Sequence, residues 1–305
     1  MSTPIETLYE QLNHELVSRR ILIPTGVDGL YGRSATFEGV IEGIDHAFRA
    51  SSASDGAEVL RFPPIIVRKN FEKVEYIKSF PQLMGIIHCF AGGDKDHREL
   101  LRKFEAGEDW TTDLKASEVV LKPAACYPVY PTMTGTLPAG GKIVDVLSYC
   151  FRHEPSRDPA RMQMFRMHEH IRFGSPEEVK VWRDTWFERS QGVLRSLGLD
   201  CRAEVANDPF FGRTGKVLAQ NQRDLALKFE LLVSIHSDEH PTAVVSLNYH
   251  QDHFAHLFDI KLADGSYAHT SCIGFGMERI AIAMFRHHGW DPAAWPASVR
   301  GAMGL

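Results

Sequence analysis

The sequence predicts an α+β protein: an antiparallel β-sheet flanked by helices. Three observations carry this. Strand-like runs come in consecutive groups, at 142–152 with 162–173 and at 200–206, 228–236 and 242–249, not in the regular alternation with helices that a parallel sheet requires. Helical patterns lie between those groups, the strongest at 176–197. No GxGxxG follows a strand, so nothing points to a doubly wound nucleotide-binding sheet. With 305 residues, 44% of them hydrophobic, the chain is long enough to bury a large core and reads as a single domain, 1–305.

Each element has its own signal. Ile5, Leu8, Leu12, Leu16 and Val17 recur at helical spacing, as do Phe37, Val40, Ile41, Ile44 and Phe48; together they make residues 1–56 a short helical region. AEVLRF reads as a strand, and Pro63 with Pro64 confines it to a sheet edge. Residues 94–106 read as a helix and EVVLK, 118–122, as a buried strand. Ser156, Asp158 and Pro159 mark a loop between the strands at 142–152 and 162–173. Pro176 with Glu177 and Glu178 opens the next helix, the Pro in its first turn and the acids near its positive end. FDIKLADGSYAHTSC predicts a hairpin turning at Asp264–Gly265, and GFGMERIAIAMFRHHG a glycine-led buried helix.

The net charge is −5, which excludes a broad nucleic-acid surface but leaves room for a local basic pocket. Cys89, Cys126, Cys150, Cys201 and Cys272 are odd in number and form no CxxC pair. That fits a reducing cytosol rather than a disulfide framework. The first twenty residues lack the apolar stretch of a signal peptide, and no run is long enough to span a bilayer, so the expectation is a cytoplasmic protein.

CFRHEPSRDPARMQMFRMHEH, 150–170, gathers Arg152, Arg157, Arg161 and Arg166 with Glu154 around one loop. Strand alternation puts Arg152 and Glu154 on one face. Either they pair with each other, or Arg152 holds a phosphate through its planar fork while Glu154 accepts from a ligand amine. In TSCIGFGMERI, 270–280, Gly274 and Gly276 can let the backbone turn and cradle a phosphate where the helix begins. Arg279 is then a second phosphate contact or a partner for Glu278. His250, His253 and His256 fit no standard metal signature.

Taken jointly, these stretches resemble class II aminoacyl-tRNA synthetases. FRHE, 151–154, is similar to their motif 2 and GFGMER, 274–279, to motif 3. LRFPPIIVRKNFEKVEYIKSFPQL, 60–83, resembles motif 1 and the sequence after it in seryl enzymes. Two departures matter. Residues 1–56 lack the long helical arm that grips tRNA, and PAACYP, 123–128, puts Pro123 and Ala125 where the serine-reading Thr-x-Glu stands. The closer resemblance is to bacterial amino acid:[carrier protein] ligases, through IPTGVDGLYGR, GEDWT, SYCFRHEPS, NDPFFGR, LKFELL, NYHQDHF and VRGAMGL across nearly the whole chain.

That resemblance implies ATP-dependent activation of a small amino acid, glycine or alanine, and its transfer to the phosphopantetheine thiol of a carrier protein. It implies Zn²⁺ on Cys126, Glu169 and Cys272, with Glu169 and Cys126 also placing the amino acid, and Mg²⁺ with ATP. Arg152 and Arg279 are implied as catalytic. Glu154, Arg161, Met162, Ala243, Val244, Val245 and Ser246 are implied, with those arginines, to bind the nucleotide. A homodimer without tRNA is expected, with Arg183, Arg189, Arg195 and Arg202 as a guess at the carrier-facing surface. The rivals are a tRNA-charging enzyme, a non-catalytic paralogue and a metallohydrolase built on the 250–256 histidines.

Overall fold

The computed structural model describes residues 4–305 apart from 213–215, 218, 221, 223 and 224. Its centre is a seven-stranded sheet. The strands run in the order Arg202–Val205, Lys228–Val233, Thr242–Gln251, His269–Gly276, Met164–Gly174, Lys142–Phe151 and Glu58–Leu60. All neighbours are antiparallel except Glu58–Leu60, which runs parallel to Lys142–Phe151. That strand is short and at the edge, as Pro63 and Pro64 require. The expected α+β fold is the observed one.

Three helices and the C-terminal helix cover one face. Ala35–Ser52 is capped by Ser34, whose hydroxyl accepts from the Phe37 N–H at 3.2 Å. Its apolar stripe buries Phe37, Val40, Ile41, Ile44 and Phe48. Pro176–Ser196 starts with a capping box between Ser175 and Glu178. Met277–His288 is buried nearly all round, so it is a core helix. Gly43 lets Ala297–Met303 seat against Ala35–Ser52: a Cβ there would lie 2.5 Å from Met303 Cε. Leu12, Leu16, Phe48, Trp186, Ile273 and Phe285 share one core cluster, so residues 1–56 belong to the main body. Each such fully buried large side chain contributes about 1.5–3 kcal/mol.

A second core cluster lies on the opposite face, where Val144, Val146, Ile171, Phe173 and Cys272 meet Tyr130, Phe254 and Phe258. The 118–122 strand appears as Leu114–Leu121, the middle strand of a separate three-stranded sheet, and Val120 is the one buried residue of that strand. The sequence reading missed a short hairpin, Leu22–Pro24 with Tyr31–Arg33. The hairpin expected around Asp264–Gly265 shrinks to one bridge between Lys261 and Tyr267. Ile260–Lys261 pairs instead, in parallel, with Gly135–Thr136. Among the described residues no helix is long and apolar enough to cross a membrane.

Candidate active site

The site lies on the second face of the sheet, at the end where Lys142–Phe151 gives way to a loop. The strand stops at Phe151, so Arg152 and Glu154 are loop residues and strand alternation does not set their directions. Arg152 closes the loop through its own N–H, which donates to the Gln163 carbonyl at 2.9 Å. Its Nε donates to the Pro123 carbonyl at 3.2 Å, and its guanidinium stands 5.5 Å from the Phe165 ring centre. Arg279, early in the core helix, donates to the carbonyls of Ala160 and Ala243, both at 2.9 Å.

Both arginines are half-buried, and among the described residues neither has a carboxylate within ion-pair reach. Burial draws the Arg279 guanidinium below its ordinary range, and the nearby charges of Arg161 and Arg152 lower it further. Three guanidiniums therefore feel one another across a small space, the electrostatics of a polyanion site. Glu154 pairs with Arg161 at 2.6 Å, not with Arg152. Arg166 turns away from this space. It bonds Glu278 at 2.8 Å and reaches Glu38, tying the sheet to two helices. Glu278 is thus the partner of Arg166 and, at 3.4 Å, of Arg33, rather than of Arg279.

A second group adjoins the first. The ligand atoms of Cys126, Glu169 and Cys272 lie within 4.8 Å of one another, and all three residues are buried. The ladder explains the meeting. Glu169 pairs with Gly274 and Ile171 with Cys272, so Glu169 and Cys272 are diagonal neighbours on one face. Cys126 comes from the loop after the small sheet. That loop also turns the Ala125 N–H onto Glu169 Oε1 at 3.1 Å. Glu169 Oε2 is buried without a partner.

Burial, with the Cys272 sulfur adding, pushes the Glu169 carboxyl up to about 7. Its bond to Cys272, burial and the Glu169 charge push the Cys126 thiol up. Two thiols, a carboxylate and an orphaned oxygen in a dry space are the donor set and the charge excess that suit Zn²⁺. The residues present fit that ion. Asn248 Nδ2 donates to Cys272 Sγ at 3.5 Å, and His250 Nε2 stands 3.6 Å from it. The 250–256 histidines do not gather: His256 is exposed and paired with Asp252.

Other expectations need correction. Val244, Val245 and Met162 are buried in the helix-side core cluster, while Ser246 lies opposite Gly274 in the ladder. Ala243 contributes its carbonyl to Arg279. Gly274 and Gly276 lie in the strand His269–Gly276 and neither has a positive φ, while Gly276 is also the N-cap of the helix Met277–His288. Gly274 is needed for another reason, the closeness of Met167 and Glu169. Arg183 and Arg189 are engaged within the protein, the former over Phe229 and Tyr249, the latter with Asp55 at 2.6 Å. Arg202 pairs with Glu204 at 2.7 Å.

The sequence reading also missed a buried network on the opposite face. Asp145 Oδ2 lies 2.6 Å from His168 Nε2 and 3.0 Å from His170 Nε2. Asp45 and Arg61 close it, at 2.7 Å from His168 and 2.9 Å from Asp145. All three residues are buried, and their ligand atoms lie within 4.8 Å of one another. The signal was present in the alternation of HEH, which sends Glu169 to one face and both histidines to the other.

The fold is that of a class II aminoacyl-tRNA synthetase core. The chain superposes on the Methanopyrus kandleri SerRS solved with A. aeolicus tRNASec, with a TM-score of 0.82 at 21% identity, covering 96% of this chain and 60% of that one. The Naegleria fowleri cytoplasmic serine–tRNA ligase solved with AMP gives 0.70 at 14%, over 96% and 65%. The chain thus spans about 60–65% of these solved chains. No protein-family model matches it. By sequence it is 44% identical to amino acid–[acyl-carrier-protein] ligase 1 of Bradyrhizobium diazoefficiens, over 100% of this chain and 91% of that protein. Ligase 2 of the same organism is 45% identical over 99% and 88%. The chain belongs to the amino acid–[acyl-carrier-protein] ligase family, a family of enzymes.

Proposed function

We propose that the protein activates glycine or alanine with ATP and passes it to the phosphopantetheine thiol of a carrier protein. The observation that carries this reading is the pair Arg152 and Arg279, half-buried guanidiniums with no carboxylate of their own among the described residues, beside a buried thiol–carboxylate trio. Cations withdrawn from water without an anion are costly unless a ligand supplies one.

In the first step the amino acid carboxylate attacks the α-phosphate of ATP. A C–O–P anhydride forms and the bond to pyrophosphate breaks. The carboxylate is ionised at neutral pH, so no general base is needed, and catalysis is positioning and charge neutralisation. Arg152 meets the α-phosphate and the reacting carboxylate. Arg279 and Arg161 meet the β and γ phosphates, and Mg²⁺ arrives with the nucleotide. Glu154 accepts from the adenine amino group, which requires it to loosen its bond to Arg161. Ser246 lines the floor. Cys126, Glu169 and Cys272 would hold zinc, which when bound supplies a Lewis-acid seat for the neutral amino group of an α-amino acid. In the second step the carrier thiolate attacks the carbonyl and AMP leaves.

Residues 1–305 act as one catalytic domain, and two copies pair through the motif 1 region, where Val59 and Val67 are 55% and 50% exposed. The carrier, not tRNA, is the acceptor; the names of the two Bradyrhizobium relatives support this. Incubation with ATP, labelled glycine or alanine and a carrier in its holo form tests it. A hydroxylamine-labile mass gain on the holo carrier, and none on the apo carrier, is expected; labelled tRNA with an unmodified carrier would overturn it.

A further inference from the structure

Lys122 is fully buried, 0% exposed, and the proposed reaction does not use it. Its Nζ donates to Ser148 Oγ at 2.5 Å, and no carboxylate among the described residues lies within ion-pair reach. A buried ammonium with one hydroxyl for company is a costly arrangement unless a negative charge stands close. The ladder shows where that charge is. Ser148 is two residues along from Val146, which pairs directly with Glu169, so Ser148 and Glu169 share a face as diagonal neighbours. The same lysine begins the loop that carries the Ala125 N–H and Cys126 to Glu169. Burial pulls the Lys122 ammonium below its ordinary range, and the neighbouring Cys150, Glu169 and Cys126 hold it up.

The charges of the trio do not close by themselves. Two thiolates and a carboxylate around a dication leave one negative charge over, in a space from which water is excluded. We infer that Lys122 is the charge-balancing residue of the Cys126–Glu169–Cys272 centre, its ammonium offsetting the excess negative charge that remains once a divalent cation is bound. The inference rests on the reading of that trio as a metal centre. Lys122 touches neither substrate nor metal; it acts through Glu169 and Cys126, as groups behind metal ligands commonly do.

The test uses the whole chain and zinc alone. Lys122→Met keeps the length and apolar stem and removes the charge. Zinc affinity is measured by competition with a chromogenic chelator, alongside the melting temperature of the zinc-free protein. The expected result is a loss of affinity of about 10- to 100-fold, with the zinc-free melting temperature unchanged or raised, since a buried charge has gone. A merely structural lysine gives the opposite split: a lower melting temperature with wild-type zinc affinity, which overturns the inference. If Lys122→Met does not fold, Ser148→Ala, which frees the ammonium from its anchor, is expected to weaken zinc in the same direction by a smaller factor. Wild-type affinity in a folded Ser148→Ala then overturns it. A folded wild-type protein that takes up no zinc removes the metal-centre reading itself, a different failure from equal affinities in the two proteins.

Discussion

Gly274 faces Glu169 across the ladder so closely that a Cβ on Gly274 would stand 3.3 Å from Glu169 Cγ and 2.6 Å from Met167 Cε. The glycine is there for space, since its φ is not positive. Gly274→Ala therefore displaces Met167 and nudges Glu169 from the two sulfurs. Overpacking of this kind costs about 1–3 kcal/mol, and misplacement near reacting groups costs up to about 100-fold in rate. Urea melts and pyrophosphate exchange on the same sample are expected to show a small stability loss with a larger rate loss.

Cys272→Ser and Cys126→Ser are expected to lose bound zinc while keeping the fold, because serine matches the size of the buried cysteine it replaces but lacks the thiolate. Elemental analysis of purified protein checks this. Full zinc content in either variant would place the ion elsewhere.

Arg152→Lys keeps the charge but loses the planar fork that reaches Pro123 and, in the proposed reaction, the α-phosphate. Exchange is expected to fall about 100- to 1000-fold, the scale of one lost transition-state donor, with the melting temperature nearly unchanged. Arg166→Met should do the reverse. It leaves Glu278, 2% exposed, without its main partner, and breaking such a buried pair costs about 3–5 kcal/mol.

The metal-free protein should also have a pH signature. Burial raises the Glu169 carboxyl to about 7 in the folded state, above its unfolded value near 4.3. The folded state then binds the proton more tightly, so this stability is fully present below about pH 4 and is lost as pH rises to about 7. Melts of chelator-treated protein across that window should show a decline that Glu169→Gln flattens.

How much the sequence disclosed depends on distance along the chain. Arg152 and Arg279 were legible because each sits in a compact local motif, FRHE and GFGMER. Cys126, Glu169 and Cys272 lie on three separate elements, and only resemblance to a family linked them before the ladder brought them together. The role of Arg166 was hidden for the same reason: its partners Glu38 and Glu278 come from helices far on either side in sequence. Lys122 was invisible because a buried charge announces itself only through its packing, and the Asp145–His168–His170 network left only the alternation of HEH as a signal, with nothing to name Asp145 as the partner. Alternation misled at Glu154 because the strand ends at Phe151, and a period of two has no meaning beyond it.

The most direct measurement is amino-acid-dependent exchange of pyrophosphate into ATP, run across the twenty amino acids on zinc-loaded protein and again after chelation. Exchange with glycine or alanine alone, abolished by zinc removal and by Arg152→Lys, is the predicted result. A folded, zinc-loaded protein that exchanges with no amino acid would contradict the account.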